Sequence, residues 1–257
     1  MSLAETAVVE AIDHGEVREL RLSRPPVNAL DPGLCRALAE AIDTAVGDGV
    51  SGLVLTGGPK VFSAGLDVPH LLSLGDDRDA LRQAWEAFFA AARALAGSPL
   101  PVVAAIAGHA PAGGCVLALC CDYRIMANGP YRIGLNETQV GLVAPEGVQH
   151  LLSRMVGRYR AERLLVAGEL VDADQALRIG LVDELTDVDH VVQRALAWLE
   201  PLLALPRAPM LRTRLIARAD LADALAPERI ALEVFLDAWN EPDTQAGLRA
   251  LVARLGK

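Results

Sequence analysis

The sequence predicts an α/β core followed by an all-helical region, and three observations carry that expectation. Short apolar runs at 53–56, 101–107 and 123–127 alternate with longer segments of helical spacing up to about residue 185. From Val188 onward no run suits a strand, and Pro201, Pro206, Pro209, Pro227 and Pro242 punctuate helical segments instead. A hydrophobic content of 52% over 257 residues supplies a sizeable core and argues against disorder. The chain therefore divides into a core over 1–187, where the candidate site falls, and a helical region over 188–257.

Taken in order, residues 6–12 and 16–22 read as two strands joined by the turn His14-Gly15. Pro25-Pro26-Val27-Asn28 breaks the pattern. Asp31-Pro32 then opens a helix to about Val46, with aspartate as cap and proline in the first turn. Leu53–Thr56 is a short buried strand ending in Gly57-Gly58, Phe62–Asp67 a loop and Arg78–Leu95 a helix. Pro101–Ala107 reads as a strand, Gly113–Cys121 as a buried helix, Tyr123–Ala127 as a strand and 146–156 as a helix. The helical region divides into 188–204, 207–218, 227–240 and 242–255, and there is no internal repeat or low-complexity tract. Leu232, Phe235, Leu236 and Trp239 stand among charged neighbours, so that face suits either a partner chain or the chain's own core.

Charge and composition exclude several classes of function. A net charge of -9 disfavours nucleic-acid binding through a broad basic surface, though a local basic pocket for an anionic ligand is compatible with it. The start carries Glu5, Glu10, Asp13 and Glu16 without a continuous apolar run, which fits neither a secretory signal nor an Arg-rich transit peptide. Leu100–Ala107 is too short to span a bilayer. No membrane role and a cytoplasmic location are the expectation. Cys115, Cys120 and Cys121 lack a Cys-x-x-Cys spacing and suit small buried hydrophobes. His109, His150 and His190 have no ligand-like spacing either, so no metal site is expected.

The chemistry concentrates between Pro111 and Glu137. Pro111-Ala112-Gly113-Gly114-Cys115 is a tight turn opening into a buried helix, whose first N–H groups are unpaired and carry a positive field. The paired glycines let the backbone approach a ligand closely. Glu137 follows in a segment that is otherwise mostly uncharged. Donors for a developing negative charge, together with one carboxylate to move a proton, make a minimal site for enolate chemistry.

Four motifs, in order and at fitting spacing, resemble the crotonase (enoyl-CoA hydratase/isomerase) superfamily: Phe62-Ser63-Ala64-Gly65-Leu66-Asp67, Pro111-Ala112-Gly113-Gly114-Cys115, Cys121-Asp122-Tyr123-Arg124-Ile125 and Ile133-Gly134-Leu135-Asn136-Glu137-Thr138-Gln139. Arg24-Pro25-Pro26-Val27-Asn28-Ala29-Leu30 extends the resemblance over essentially the whole chain. Within the superfamily, the mitochondrial-type Δ3,Δ2-enoyl-CoA isomerases are most similar. The resemblance implies a spiral of ββα units with two near-perpendicular sheets. It further implies C-terminal helices used in a homotrimer or dimer of trimers, and an acyl-CoA thioester substrate with no separate cofactor. It places oxyanion-hole N–H groups on Leu66 and Gly113, lines the substrate path with Ala64, Gly65, Leu66, Asp67, Val68 and Gly113, and makes Glu137 the catalytic base.

The family's hydratases use two glutamates, and the first of these positions is Val116 here. A valine can neither activate water nor deliver a proton, a loss typically worth about 10²–10⁴-fold. The resemblance thus implies an isomerase of fatty acid β-oxidation that moves a 3-enoyl-CoA double bond to the trans-2 position. A hydratase or other crotonase-type reaction, and a non-catalytic acyl-CoA-binding trimer, are the alternatives. Glu146 stands where the isomerase pattern has a neutral residue; it reads either as a second acid/base group or as a carboxylate at a helix start. Asp67 reads as a substrate contact or a cap, Arg24 as a contact to a CoA phosphate or an isolated surface arginine. The run Arg207, Arg212, Arg214, Arg218 reads as a solvated helix face or part of a phosphate pocket.

Overall fold

The computed structural model describes residues 7–254 and Gly256. The first two strands, β1 (Val9–His14) and β2 (Val17–Leu22), pair antiparallel with His14 opposite Val17. Gly15, at a φ of 66°, permits this two-residue turn, so β1 runs to His14 and starts later than the expected 6–12. Thr6, in that expected strand, lies outside the described residues.

Four parallel strands extend the sheet: β3 (Gly52–Thr56), β4 (Val102–Ile106), β6 (Tyr123–Ala127) and β9 (Glu184–Thr186), in the order β1-β2-β3-β4-β6-β9. Every residue of β3 and β4 is buried, which is why both read as continuous apolar runs rather than alternating ones. One face of the sheet packs on the helices Pro32–Gly47 and Arg78–Ala96. The other is covered by the helix Val191–Leu203, whose Val191, Ala195 and Leu199 meet Val54, Val103 and Ile125.

A second, three-stranded sheet is made of very short strands: β5 (Ala110–Pro111), β7 (Arg132–Gly134) and β8 (Val171–Asp172), in the order β5-β7-β8. Strands of two or three residues carry no readable periodicity, so none of the three is legible in the sequence. Their effect on position is large. Pairing Pro111 with Gly134 sets the Gly113 turn beside the segment that leads to Glu137, and the Ala112 N–H donates to the Gly134 carbonyl at 2.8 Å.

Beyond Val188 the described chain is helical throughout, as expected: a 3₁₀ turn at Val188–His190, then Val191–Leu203, Arg207–Ala217, Ala219–Ala224, Pro227–Ile230, Leu232–Trp239 and Pro242–Arg254. Two boundaries differ. The expected helix 227–240 breaks at Ala231, whose φ of 47° cannot continue a right-handed helix. Arg207–Ala217 is followed by a separate short helix; Leu255, the end of the expected 242–255, lies outside the described residues.

Of the two readings of the stripe over 232–239, three of its residues take the chain's own core. Phe235, Leu236 and Trp239 are buried within the chain, Phe235 lying 4.3 Å from Trp85 between ring centres. The arginine run is not simply a solvated face either. Arg214 donates to both oxygens of Asp122 at 2.7 Å, Arg218 lies 3.2 Å from the same carboxylate, and both arginine side chains are only 10% exposed. Asp122 also accepts the Val102 N–H, so this cluster ties the helical region to the start of β4. Among the described residues, no helix is long and apolar enough to cross a membrane.

Candidate active site

The loop Phe62–Asp67 is held on both sides by residues just after β2. Asn28 donates to the Phe62 carbonyl, and Ser63 Oγ donates to the Asn28 carbonyl while accepting the Gly65 N–H. Leu30 pairs with Leu66 in an isolated bridge: the Leu30 N–H donates to the Gly65 carbonyl at 2.8 Å, and the Asp67 N–H donates to the Leu30 carbonyl at 3.2 Å. The Gly65–Leu66 peptide is trans, so pinning its carbonyl on Leu30 turns the Leu66 N–H the opposite way. That N–H has no acceptor among the described residues.

The same construction recurs at the second donor. Gly113 opens the helix Gly113–Leu119, and the Ala112 carbonyl accepts the Val116 N–H at 3.0 Å. The Gly113 N–H therefore points back out of the helix start, again without an acceptor among the described residues. Ala112 takes φ 46° and ψ -119°, a conformation that costs a non-glycine residue about 1–3 kcal/mol and that the surrounding bonds must hold.

The two donor segments touch, and two glycines make this possible. A Cβ on Gly65 would lie 3.1 Å from the Gly113 nitrogen, and one on Gly114 would lie 2.5 Å from the Ser63 carbonyl oxygen. The paired glycines thus serve backbone approach, with one donor loop packed against the other. Both Leu66 and Gly113 line one cavity of about 620 Å³.

Glu137 lines the same cavity. It begins the 3₁₀ turn Glu137–Val140, which Thr138 Oγ1 and Gln139 Nε2 anchor by donating to the carbonyls of Leu165 and Ala167. Its Oε2 is buried without a hydrogen-bond partner, and burial pushes the carboxyl up to about 7, against the lowering pull of its own backbone amide. A protonatable group tuned near neutrality in an apolar enclosure suits proton transfer. Val116, 2% exposed, lines the cavity one turn after Gly113.

The remaining expected residues divide. Ala64, Asp67 and Val68 line the cavity; Gly65 does not, and its part is to admit Gly113. Asp67 caps the helix Val68–Ser73 through the His70 N–H and accepts from Arg24 at 2.8 Å. Glu146 is corrected: it starts the helix Glu146–Val156 with its side chain 71% exposed, bonds Arg229 at 2.8 Å, and is not part of the cavity wall. An acid after Pro145 looks the same in sequence whether it turns inward or outward, and Arg229, which draws it out, is 83 residues away.

Sequence reasoning missed the apolar wall. Trp85, Phe88 and Phe89 come from the core, Phe235 and Leu251 from the helical region, and Asn136 lines the cavity with its Oδ1 buried and unpartnered. In a chain only 4% aromatic, three aromatic residues within 85–89 were the available signal. A wider open groove of about 980 Å³ follows the helix Arg158–Ala167, but its acids Glu162 and Glu169 are exposed. Among the described residues, no group of three or more His, Cys, Asp or Glu could hold a metal ion.

A carboxylate that shares one cavity with two unpaired backbone donors suits enolate chemistry, and the sequence comparison agrees with it. Residues 13–255 match the enoyl-CoA hydratase/isomerase family. The chain belongs to that family. Enoyl-CoA delta isomerase 1, mitochondrial, of Mus musculus is 34% identical over 252 residues, covering 96% of this chain and 86% of that protein. A probable enoyl-CoA hydratase of Mycobacterium tuberculosis is 36% identical over 222 residues, covering 83% of this chain and 81% of that protein. The crystal structure of human mitochondrial Δ3,Δ2-enoyl-CoA isomerase matches with a TM-score of 0.91 at 34% identity, over 97% of this chain and 98% of that one. This member of the enoyl-CoA hydratase/isomerase family is therefore an enzyme of crotonase fold, and its Leu66, Gly113 and Glu137 share one cavity.

Proposed function

We propose that the enzyme isomerises 3-enoyl-CoA thioesters to trans-2-enoyl-CoA in fatty acid β-oxidation, with Glu137 as its single acid/base. The observation that carries this reading is the identity of the carboxylates in the cavity wall. Among the described residues they are Glu137 and Asp67, and Asp67 is committed to a helix cap and to Arg24. One carboxylate near neutrality suffices for isomerisation, whereas the paired-glutamate hydration meets Val116 instead of an acid.

In this mechanism the thioester oxygen accepts from the Leu66 and Gly113 N–H groups. Glu137 takes a proton from C2, and the C–H electrons form the C1=C2 bond of a dienolate whose charge rests on that oxygen. The carboxylic acid so formed returns its proton to C4. The C2=C3 double bond and the C1 carbonyl form as C3=C4 is consumed, so atoms and charge balance with no other reactant. Coenzyme A is part of the substrate. The apolar wall from Trp85, Phe88, Phe89 and Phe235 suits the acyl chain and keeps water from the dienolate.

The similarity to a probable hydratase keeps hydration as a second reading. Incubation with 3-enoyl-CoA and, separately, 2-enoyl-CoA in water separates the two: trans-2-enoyl-CoA without 3-hydroxyacyl-CoA supports the isomerase, and accumulation of 3-hydroxyacyl-CoA from either substrate supports the hydratase.

A further inference from the structure

Arg24 lies in the cavity wall, where a contact to an anionic ligand is one expectation from the sequence. Three of the five N–H donors of its guanidinium are already in use. Nε lies 3.0 Å from an Asp31 carboxylate oxygen, Nη1 donates to the Ala29 carbonyl at 2.9 Å, and Nη2 donates to Asp67 at 2.8 Å. Each aspartate spends its other oxygen on a helix start, Asp31 on the Leu34 N–H and Asp67 on the His70 N–H. A phosphate would be left one N–H on each Nη, beside two carboxylates that also cap helices.

What the fork clasps is more informative than its charge. Ala29 and Asp31 flank Leu30, and Asp67 follows Leu66, so the three acceptors surround the Leu30–Leu66 bridge. That bridge holds the Gly65 carbonyl on the Leu30 N–H and so sets the direction of the free Leu66 N–H. We infer that Arg24 is a positioning residue for the oxyanion hole: by joining Ala29, Asp31 and Asp67 it fixes the aim of the Leu66 N–H at the thioester oxygen. The inference rests on the proposed isomerase reading for its effect on turnover. Lysine, whose three N–H donors share one nitrogen, cannot span three acceptors set around a planar fork.

The test uses Arg24→Lys and Asp67→Asn in the full chain, the latter keeping an oxygen to cap His70 while weakening the clasp. Turnover is measured on a 3-enoyl-CoA and on the matching 3-enoyl-pantetheine thioester, which lacks the nucleotide and its phosphates. Complete removal of an oxyanion donor costs about 10²–10³ in rate, so a donor that is present but misaimed should cost about tenfold in kcat. Both variants should show that loss on both thioesters with KM changed by less than about threefold, since the lost interaction strengthens only as charge develops. The infrared carbonyl frequency of a bound saturated acyl-CoA should shift from its wild-type position towards that of the free thioester. This readout needs no turnover, so it tests Arg24 even where the isomerase reading fails. A deficit in KM alone that vanishes with the pantetheine thioester would make Arg24 a nucleotide contact and overturn the inference. Unchanged kcat with an unmoved carbonyl frequency in folded variants would overturn it as well.

Discussion

Glu137 illustrates how one side chain ties stability to activity. Its carboxyl ionises near 7 in the folded protein, against an ordinary 4.5, because burial disfavours the charge. Proton abstraction needs the ionised form, so kcat/KM for a 3-enoyl-CoA should rise with pH and reach half its plateau near 7. Stability should run the other way. Between about 4.5 and 7 the unfolded chain has released this proton and the folded chain has kept it, so folding weakens as pH rises through that window. Glu137→Gln should therefore abolish most turnover, keep acyl-CoA binding, and stabilise the protein at pH 8 by on the order of 1–3 kcal/mol. Denaturant melts at pH 8 and pH 4 check this: the gain should shrink at the lower pH, where wild-type Glu137 is protonated in both states.

Val116 offers the complementary change. Val116→Glu places a second carboxylate in the cavity that Glu137 lines, and it should create detectable addition of water to 2-enoyl-CoA. The new group enters at a position only 2% exposed, so part of it will stay protonated and the fold will lose some stability. A folded variant that forms no 3-hydroxyacyl-CoA would show that Val116 does not face the reacting carbons. Glu137 and Gly113 stand out in the sequence because their motif is local, whereas Val116 is picked out only by the family's two-glutamate pattern. Leu66 was legible only through family resemblance, since its free N–H depends on Leu30, 36 positions earlier. Glu146 could not be assigned from sequence, because its orientation depends on a distant arginine.

At the scale of elements, the site depends on two backbone segments packed closer than side chains allow. Gly114→Ala would put a methyl group 2.5 Å from the Ser63 carbonyl oxygen, so the helix Gly113–Leu119 and the loop Phe62–Asp67 must separate. The expected result is a loss of about 1–3 kcal/mol, read as a Tm lower by several degrees, with a fall in kcat larger than the change in KM. Unaltered kcat in a folded Gly114→Ala protein would mean that the two donors need not be held together. The buried strands and long helices of the core follow from hydrophobic period and caps. The small sheet does not, yet its Pro111–Gly134 pairing is what brings the Gly113 turn to Glu137. Elements of two or three residues are set by tertiary hydrogen bonds, which leave no pattern in the sequence.

At the scale of the molecule, the helical region has two roles that the sequence pattern alone could not separate. Phe235 and Leu251 close the apolar wall of the cavity, and Arg214 and Arg218 lock the region to Asp122. Among the residues it leaves outside are three large apolar ones: Leu215 is 68% exposed, Ile216 71% and Val234 69%. Exposed side chains of this size are consistent with the proposed homotrimer or dimer of trimers. Light scattering should give a mass three or six times the 27.2 kDa of one chain, and a stable monomer at micromolar concentration would contradict that assembly.

In the proposed mechanism one carboxylate moves the proton from C2 to C4, and isotope transfer tests this directly. A 3-enoyl-CoA deuterated at C2 is converted in ordinary water under rapid quench, and the label is located in the product by NMR. Because Glu137 is enclosed by an apolar wall, exchange with solvent should be incomplete within a turnover, and a measurable fraction of deuterium should appear at C4. A C4 hydrogen derived wholly from water, in an enzyme whose Glu137→Gln variant retains turnover, would contradict the single-carboxylate mechanism.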